Sequence, residues 1–422
     1  LPGPAAGLLL QLARSEHLRL RAAPVTAHRA RWVMPDPTTI LDDAYVLTRG
    51  AEIIAVECGR LKSDATLVDH GPGLLMPGLI NAHTHLELSA LKGRLPLTGD
   101  FKAWVRQLID QRDQLSADEQ VDAVRTAIAH LKASGCTAIG EVSTRGLSAE
   151  PLTVSGLAGV WFKELLGNPA GNSPALTDVG NLRGALAGHA PHTTHPRLLA
   201  RLKAICRRNQ RPFCLHLAES AEETEFITTA RGPWAQLLDQ RGIDYRDWPL
   251  PAPSPVVYAD SLGLLDQDTL VVHALETDAR DRAILAARGV SVCLCPRSNQ
   301  HLHRRLPVAA AMIDQGLHLC LGTDSLASNT SLSLFDELAF CARHLPSLDP
   351  PTLLTLVTTG AARALGLGAG YGRLLAGGPA AMIYVDVTAD SPQALLAQLL
   401  NLKPSTMITP FKAAVGRPPG PP

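Results

Sequence analysis

The sequence predicts an α/β protein, a (β/α)8 TIM barrel with a small β-sandwich domain beside it. Three observations carry that prediction. Short apolar, strand-like runs recur along the chain, and several end in a metal-ligand residue: Ile80-Asn-Ala-His83-Thr-His85, Phe213-Cys-Leu-His216, Leu270-Val-Val-His273 and Leu319-Cys-Leu-Gly-Thr-Asp324. Helical segments separate these runs, giving the βαβα order that a parallel barrel requires. The chain has 422 residues, whereas a barrel needs about 250, which leaves material for a second module.

The elements follow in order. Residues 1–23 are expected to form an N-terminal extension. The first residue is Leu1, which suggests a trimmed start, and the apolar stretch from Gly7 to Ala13 lacks the basic flank of a secretory leader. Ala30–Met34, Ala44–Thr48, Ile53–Glu57 and Leu67–Asp69 alternate like the strands of a small sandwich spanning 24–77. Pro77-Gly78 marks the passage into the barrel, 78–371. Barrel strand one is expected to end at His83, strand two to cover Thr137–Val142 and strand three Gly159–Glu164. Strand four precedes His189, strand five ends at His216 and strand six at His273. Strand seven covers Val290–Cys295 and strand eight ends at Asp324. Asp118–Ser134, Arg197–Asn209 and Asp278–Arg288 read as intervening helices. The connection from Ser220 to Ser261 is longer than usual, and its Phe226, Trp234, Tyr245 and Trp248 are candidates to wall an apolar pocket or to pack the insert itself.

The ligand-type residues point to metal chemistry. Residues i and i+2 of a strand share a face, so His83 and His85 can offer two imidazoles to one ion. Alone, H-x-H also arises by chance. His216, His273 and Asp324, each at a strand end, add the nitrogen and oxygen donors that zinc and its neighbours accept. His216-x-x-Glu219 places a carboxylate beside the same strand end, where it can move a proton. His273-x-x-Glu276 repeats the spacing, and Glu222 and Glu223 read as helix N-terminal acids. His85-Leu-Glu87 imitates the H-x-E of cytidine-type deaminases, but no P-C-x-x-C follows it, which excludes that fold.

The ordered set His83, His85, His216, His273 and Asp324 resembles the amidohydrolase superfamily over nearly the whole chain. The resemblance implies one divalent metal ion held by His83, His85, His216 and Asp324, zinc first, with iron or manganese as alternatives. It implies that Glu219 shuttles the proton, while His273 and Asp324 orient the nucleophile. Gly372–Asp386 resembles the return of such chains to the first domain, making the small domain composite, 24–77 with 372–422. Lys163 falls on strand three by this reading, whereas the metal-bridging lysine of binuclear members lies on strand four; a structural lysine and a single metal are expected. His189-Ala-Pro-His-Thr, Cys295-Pro-Arg-Ser-Asn and Gly322-Thr-Asp-Ser-Leu-Ala-Ser resemble the methylthioadenosine and adenosylhomocysteine deaminases. His83–Ser89, Gly99–Trp104, Phe162–Gly167 and Ser333–Leu338 resemble the aminodeoxyfutalosine deaminases of menaquinone synthesis. These likenesses imply deamination of an adenine-type nucleoside, with Glu87, His189, Ser298, Asn299 and Ser325 as substrate contacts. Glu87 stays open as a structural acid. 6-Amino-6-deoxyfutalosine is the first expected substrate; methylthioadenosine or adenosylhomocysteine deamination, guanine deamination and triazine dechlorination are the alternatives.

Composition agrees. Lys+Arg and Asp+Glu each number 39 and no basic run appears, which argues against nucleic acid as a partner. No apolar stretch reaches the length of a membrane span. The expected partner is a small-molecule substrate, with a homodimer left open. None of the 8 cysteines forms a C-x-x-C pair, so free, buried thiols and a cytoplasmic location are expected.

Overall fold

A computed structural model describes residues 24–61, 64–96, 101–168, 174–402 and 406–411. The expected extension 1–23, the tail 417–422, and Gly99 and Asp100 of the quoted Gly99–Trp104 stretch lie outside the described residues.

The chain opens with β1 (Val25–Asp36), β2 (Thr39–Arg49), β3 (Glu52–Cys58), β4 (Thr66–Asp69) and β5 (Leu74–Pro77). The short run Leu74–Pro77 was not anticipated as a strand; it is buried on both faces and lacks polar alternation. Eight parallel strands then form the barrel in sequence order: β6 (Leu79–Thr84), β7 (Cys136–Ser143), β8 (Ala158–Leu165), β9 (Asn181–Gly188), β10 (Phe213–Leu217), β11 (Thr269–His273), β12 (Ser291–Leu294) and β13 (His318–Leu321). Finally β14 (Met382–Val385) pairs antiparallel with β5, and β15 (Ile408–Pro410) pairs with β14. Hydrogen bonds join the seven strands from both ends of the chain into one sheet, because the long β1 pairs β4 through Thr26–Arg29 and β5 through Trp32 and Val33.

Period-two alternation places the two modules against each other. Trp32, Met34, Leu74, Met76, Ile383 and Val385 face the same apolar cluster as the barrel's outer layer. Val33, Leu75, Met382 and Tyr384 fill the other side of the small sheet. Along the barrel strands, Ala82, Ala138, Phe162, Cys214, Cys293 and Cys320 point inward, where small side chains fit the narrow interior. These barrel cysteines are therefore packing residues; all eight cysteines are free and seven are buried as expected, whereas Cys58 is exposed.

Helices match the expected segments to within a residue. Ala117–Ala133 starts at a capping box of Ser116 and Glu119, and Ala279–Ala287 at one of Asp278 and Asp281. Most strand ends also agree to within a residue, β6 running on to Thr84 and β10 to Leu217, with a larger difference at strand eight. Strand eight stops at Leu321 rather than Asp324, because Asp324 turns to φ 56° and its N–H is used to close the barrel. Strand seven stops at Leu294, and Cys295 precedes the helix Pro296–His303. The 220–261 insert forms the helices Ala221–Thr229, Pro233–Gln240 and Pro255–Ser261, which pack with the helix Phe101–Asp113 through a shared aromatic cluster. Among the described residues no helix is long and apolar enough to cross a membrane.

One buried acid sets a pH dependence of stability. Glu337, on the helix Leu334–His344, accepts from Asn329 Nδ2 at 2.8 Å and lies 3.8 Å from Arg297 Nη1. Burial pushes its carboxyl up to about 7, against the opposing pull of Arg297 and Asn329. The folded state therefore favours the neutral acid, and this contribution is lost as pH rises through about 7. Denaturant titrations on either side of that pH should show Glu337→Gln losing less stability on the alkaline side than the parent. Equal losses would place the pH dependence elsewhere.

Candidate metal centre and active site

Barrel closure brings the ligands together. Thr84 of β6 bridges Asp324 in parallel register, and the His83 carbonyl accepts from both Thr323 N and Asp324 N at 3.1 Å. Asn81 Nδ2 donates to Thr323 Oγ1 at 2.7 Å, tying the same two strands one layer below. Gly322 is required at this seam, because a Cβ there would sit 2.7 Å from the His83 carbonyl oxygen.

His216 Nε2 stands 3.3 Å from both His83 Nε2 and His85 Nε2. Asp324 Oδ1 lies 3.8 Å from His83 Nε2 and 3.9 Å from His85 Nε2. His216 Nδ1 donates its proton to the His189 carbonyl at 2.8 Å, so Nε2 presents a lone pair to the cluster. Burial holds His83, His85 and His216 below the ordinary histidine range, in the neutral form that binds metal. Neutral lone pairs crowded at such distances need a cation between them. Nitrogens bound at about 2.0–2.1 Å to one tetrahedral zinc stand about 3.3–3.4 Å apart, the spacing found here. The donor set fits a divalent ion.

A second layer orients these groups. Ser298 Oγ and Ser328 Oγ donate to Asp324 Oδ2 at 2.6 and 3.0 Å, leaving Oδ1 towards the histidines. Asn299 Oδ1 lies 2.9 Å from His273 Nδ1. Ser298 and Asn299, expected to touch substrate, thus stand behind Asp324 and His273. Non-glycine residues with positive φ cluster here: Ala218 (52°), His273 (74°), Ala274 (48°) and Asp324 (56°). Strained backbone of this kind persists where the surroundings over-determine it.

Glu219 is buried, with Oε1 3.3 Å from His303 Nε2 and 3.6 Å from His273 Nε2. Burial alone would raise its pKa; His273, His303 and His216 overcome that and keep it ionised, ready to accept a proton. Glu223 stands in the first turn of the helix Ala221–Thr229, as its sequence position indicated, and is buried. Its carboxylate turns back to accept from Ala218 N at 3.0 Å and Glu219 N at 2.8 Å, fixing the segment that carries Glu219. Glu276 is ion-paired with Arg305, away from these histidines.

Glu87 takes the structural role. It accepts from Ser143 Oγ at 2.6 Å and from the backbone N–H groups of Thr144, Arg145 and Leu147 at 3.1, 2.9 and 2.6 Å. Its two oxygens are engaged by Ser143 and by the loop after β7, which is the structural reading left open above. Lys163 is exposed on the outside of β8 and cannot bridge metals. Its neighbour Glu164 faces inward, bonded to Thr144 Oγ1 at 2.7 Å. Glu164, His189 and His216 also gather, but the His216 nitrogen 3.8 Å from Glu164 Oε1 is the one already spent on the His189 carbonyl. Sequence reasoning missed Glu164, Ser328 and His303. Ser328 follows Asp324 by four residues in the quoted motif, a findable signal, whereas nothing local marks His303.

The ligands floor a cavity of about 280 Å³. His189, Glu219, His273 and Ser325 line its base, and Phe101, Trp104 and Trp234 its walls. His189 Nδ1 is 2.7 Å from Thr193 Oγ1, which donates to the Ala190 carbonyl, so His189 can offer Nε2 to a ligand. Of the insert aromatics only Trp234 lines the cavity; Phe226, Tyr245 and Trp248 pack on one another.

The sequence matches the Amidohydrolase family over residues 74–151 and 174–412, more than half of the chain. The chain belongs to the amidohydrolase family. A 5-methylthioadenosine/S-adenosylhomocysteine deaminase of Nitratidesulfovibrio vulgaris is 32% identical over 399 residues, covering 85% of this chain and 82% of its own. The zinc-bound adenosine deaminase from Xanthomonas campestris superposes with a TM-score of 0.72 at 26% identity, over 90% of this chain and 89% of that one. The Helicobacter pylori aminofutalosine deaminase shares the fold, with a TM-score of 0.77 at 22% identity over 93% of this chain and 99% of its own. This amidohydrolase is a hydrolytic deaminase, and its donor set is that of a divalent metal site.

Elemental analysis of the purified amidohydrolase should find one divalent ion per chain, and His216→Ala should abolish its retention. Two fully occupied ions per chain would refute the single site. Glu219→Gln should keep metal and fold but lose turnover by at least roughly a hundredfold, the lower range for general acid–base catalysis. Near-parental turnover in a metal-replete variant would assign proton transfer to another group.

Proposed function

We propose that this amidohydrolase hydrolytically deaminates an adenine-type nucleoside, with 6-amino-6-deoxyfutalosine as its first substrate. The observation that carries the reading is the ionised, buried Glu219 beside a three-histidine, one-aspartate donor set at the base of an apolar cavity. A divalent ion bound there supplies Lewis acidity and makes water acidic enough to react near neutral pH.

The protein's own groups do the rest. Glu219 takes a proton from the attacking water and delivers it to a ring nitrogen as the oxygen adds to the amino-bearing carbon. The carbon–nitrogen bond then breaks, ammonia leaves with a proton, and the ring carbonyl remains. His273, held by Asn299, lies against Glu219 and is placed to stabilise the charge that develops. Ser298 and Ser328 keep Asp324 from rotating during the cycle. His189, with Nε2 available, is placed to accept a hydrogen bond from the nucleoside.

The relative named for methylthioadenosine and adenosylhomocysteine supports the adenine nucleoside and favours these compounds as a second reading. The stretches around His83, Phe101, Phe162 and Ser333, together with aromatic walls suited to a bulky arm, favour aminodeoxyfutalosine. Steady-state kcat/KM, followed by loss of adenine absorbance, should rank 6-amino-6-deoxyfutalosine above adenosylhomocysteine and methylthioadenosine, with guanine poor. A preference for guanine or a triazine would overturn the nucleoside reading. A preference for methylthioadenosine would keep the chemistry and change the substrate.

A further inference from the structure

One short helix meets several groups of the site from behind. The helix Pro296–His303 follows β12 almost directly and ends at once, because Arg304 turns to φ 54°. Ser298 Oγ donates to Asp324 Oδ2 at 2.6 Å, and Asn299 Oδ1 lies 2.9 Å from His273 Nδ1. A turn further on, His303 Nε2 stands 3.3 Å from Glu219 Oε1. At about 100° per residue, positions 298, 299 and 303 share one face of the helix. Each residue of that face therefore touches a different group of the site.

The two oxygens of Glu219 are not equivalent. Among the described residues, His303 is the only group within hydrogen-bond distance of this carboxylate, and it reaches Oε1. His273 Nε2 also faces Oε1, at 3.6 Å. Oε2 has no partner among the described residues, yet it keeps accessible surface where Glu219 lines the cavity. An ionised carboxylate only accepts, which places the proton of the contact on His303 Nε2. The His303 side chain is 8% exposed, and its ring packs on Phe101 with centroids 4.7 Å apart. From the other side, Glu223 Oε2 accepts from Glu219 N at 2.8 Å and fixes the backbone. A long acidic side chain on a fixed backbone still turns about its own bonds, and a hydrogen bond at one defined oxygen removes much of that freedom.

We infer that His303 is a positioning residue for proton transfer: it anchors Glu219 Oε1 and so makes Oε2 the oxygen that carries the proton. The inference rests on Glu219 as the proton shuttle, and it adds which oxygen moves the proton and what selects it. As the water O–H bond breaks, the oxygen adds to the amino-bearing carbon and the proton passes to Oε2. Oε1 then becomes the carbonyl oxygen of a neutral acid, which still accepts from His303 Nε2–H. The proton leaves Oε2 for the ring nitrogen, and the carboxylate returns to its first state. Without His303 the carboxyl group can rotate and carry the proton out of reach of the ring, where proton transfer stops.

The test compares His303→Leu and His303→Gln with the parent, all metal-replete. The substrate is whichever of 6-amino-6-deoxyfutalosine, methylthioadenosine and adenosylhomocysteine the parent turns over fastest. His303→Leu keeps bulk against Phe101 and removes the donor. Its kcat should fall by roughly tenfold to a hundredfold, the range for a hydrogen bond to a charged group, with KM little changed. His303→Gln returns an amide donor near the place of Nε2 and should recover kcat to within severalfold of the parent. His303→Asn, whose shorter amide matches Nδ1 instead, should fall with His303→Leu and stands in for it if leucine is not tolerated. Parental kcat in the leucine or asparagine variant would overturn the inference. Equal losses in the leucine and glutamine variants would assign His303 to packing against Phe101 and overturn it. A loss confined to KM would move His303 to substrate binding, with the same consequence. Parental turnover in Glu219→Gln would instead overturn Glu219 as the shuttle, and this inference with it.

Discussion

The active site depends on how the barrel closes. A parallel barrel must join its first strand to its last, and here the joint is the His83 carbonyl accepting two successive N–H groups, those of Thr323 and Asp324. The closure therefore sets the distance between two ligands that lie 241 positions apart in sequence, His83 and Asp324. The cost is local: Asp324 leaves the strand region for φ 56°, and Gly322 must lack a side chain. A different register at this joint would carry Asp324 away from the histidines of the first strand.

Around that joint, burial sorts groups of similar chemistry into different tasks. Desolvation keeps His83, His85 and His216 neutral, as ligands must be. The same desolvation acts on the carboxylates, and their partners decide the outcome. Glu219 faces histidines and stays ionised, whereas Glu223, largely through burial, is pushed up to about 8. Glu87 gives its oxygens to backbone N–H groups and becomes a loop anchor. Environment, not residue type, separates the proton-transfer acid from the structural ones.

The cavity owes its shape to material added outside the barrel plan. The helix Phe101–Asp113 and the insert between β10 and β11 share one aromatic cluster, so their mutual packing holds the walls over the metal base. Because ring packing and cavity lining fall on different segments of the insert, Phe226 and Trp248 can stabilise it while Trp234 lines the cavity. Substrate choice can then change in these helices without disturbing the strands that carry the chemistry.

Much of this was legible locally. Strand periodicity marked His83 and His85, and the apolar runs located seven further barrel strands. The same reasoning shows its limit in a second H-x-H, His301-Leu-His303, which lies on a helix. There i and i+2 diverge, and the two rings go to the Ser328 carbonyl and to Glu219 Oε1. What the sequence alone determined was the barrel, its order of strands and the donors at the strand ends, because each follows from interactions within a few residues. Which carboxylate stands ready for proton transfer was decided only by the tertiary structure: the partners of Glu87 lie in 143–148 and one partner of Glu219 is His303. Desolvation and long-range hydrogen bonds have no signature in local spacing, so the roles of Glu87, Ser298, Asn299 and Glu223 became visible only once the chain had folded.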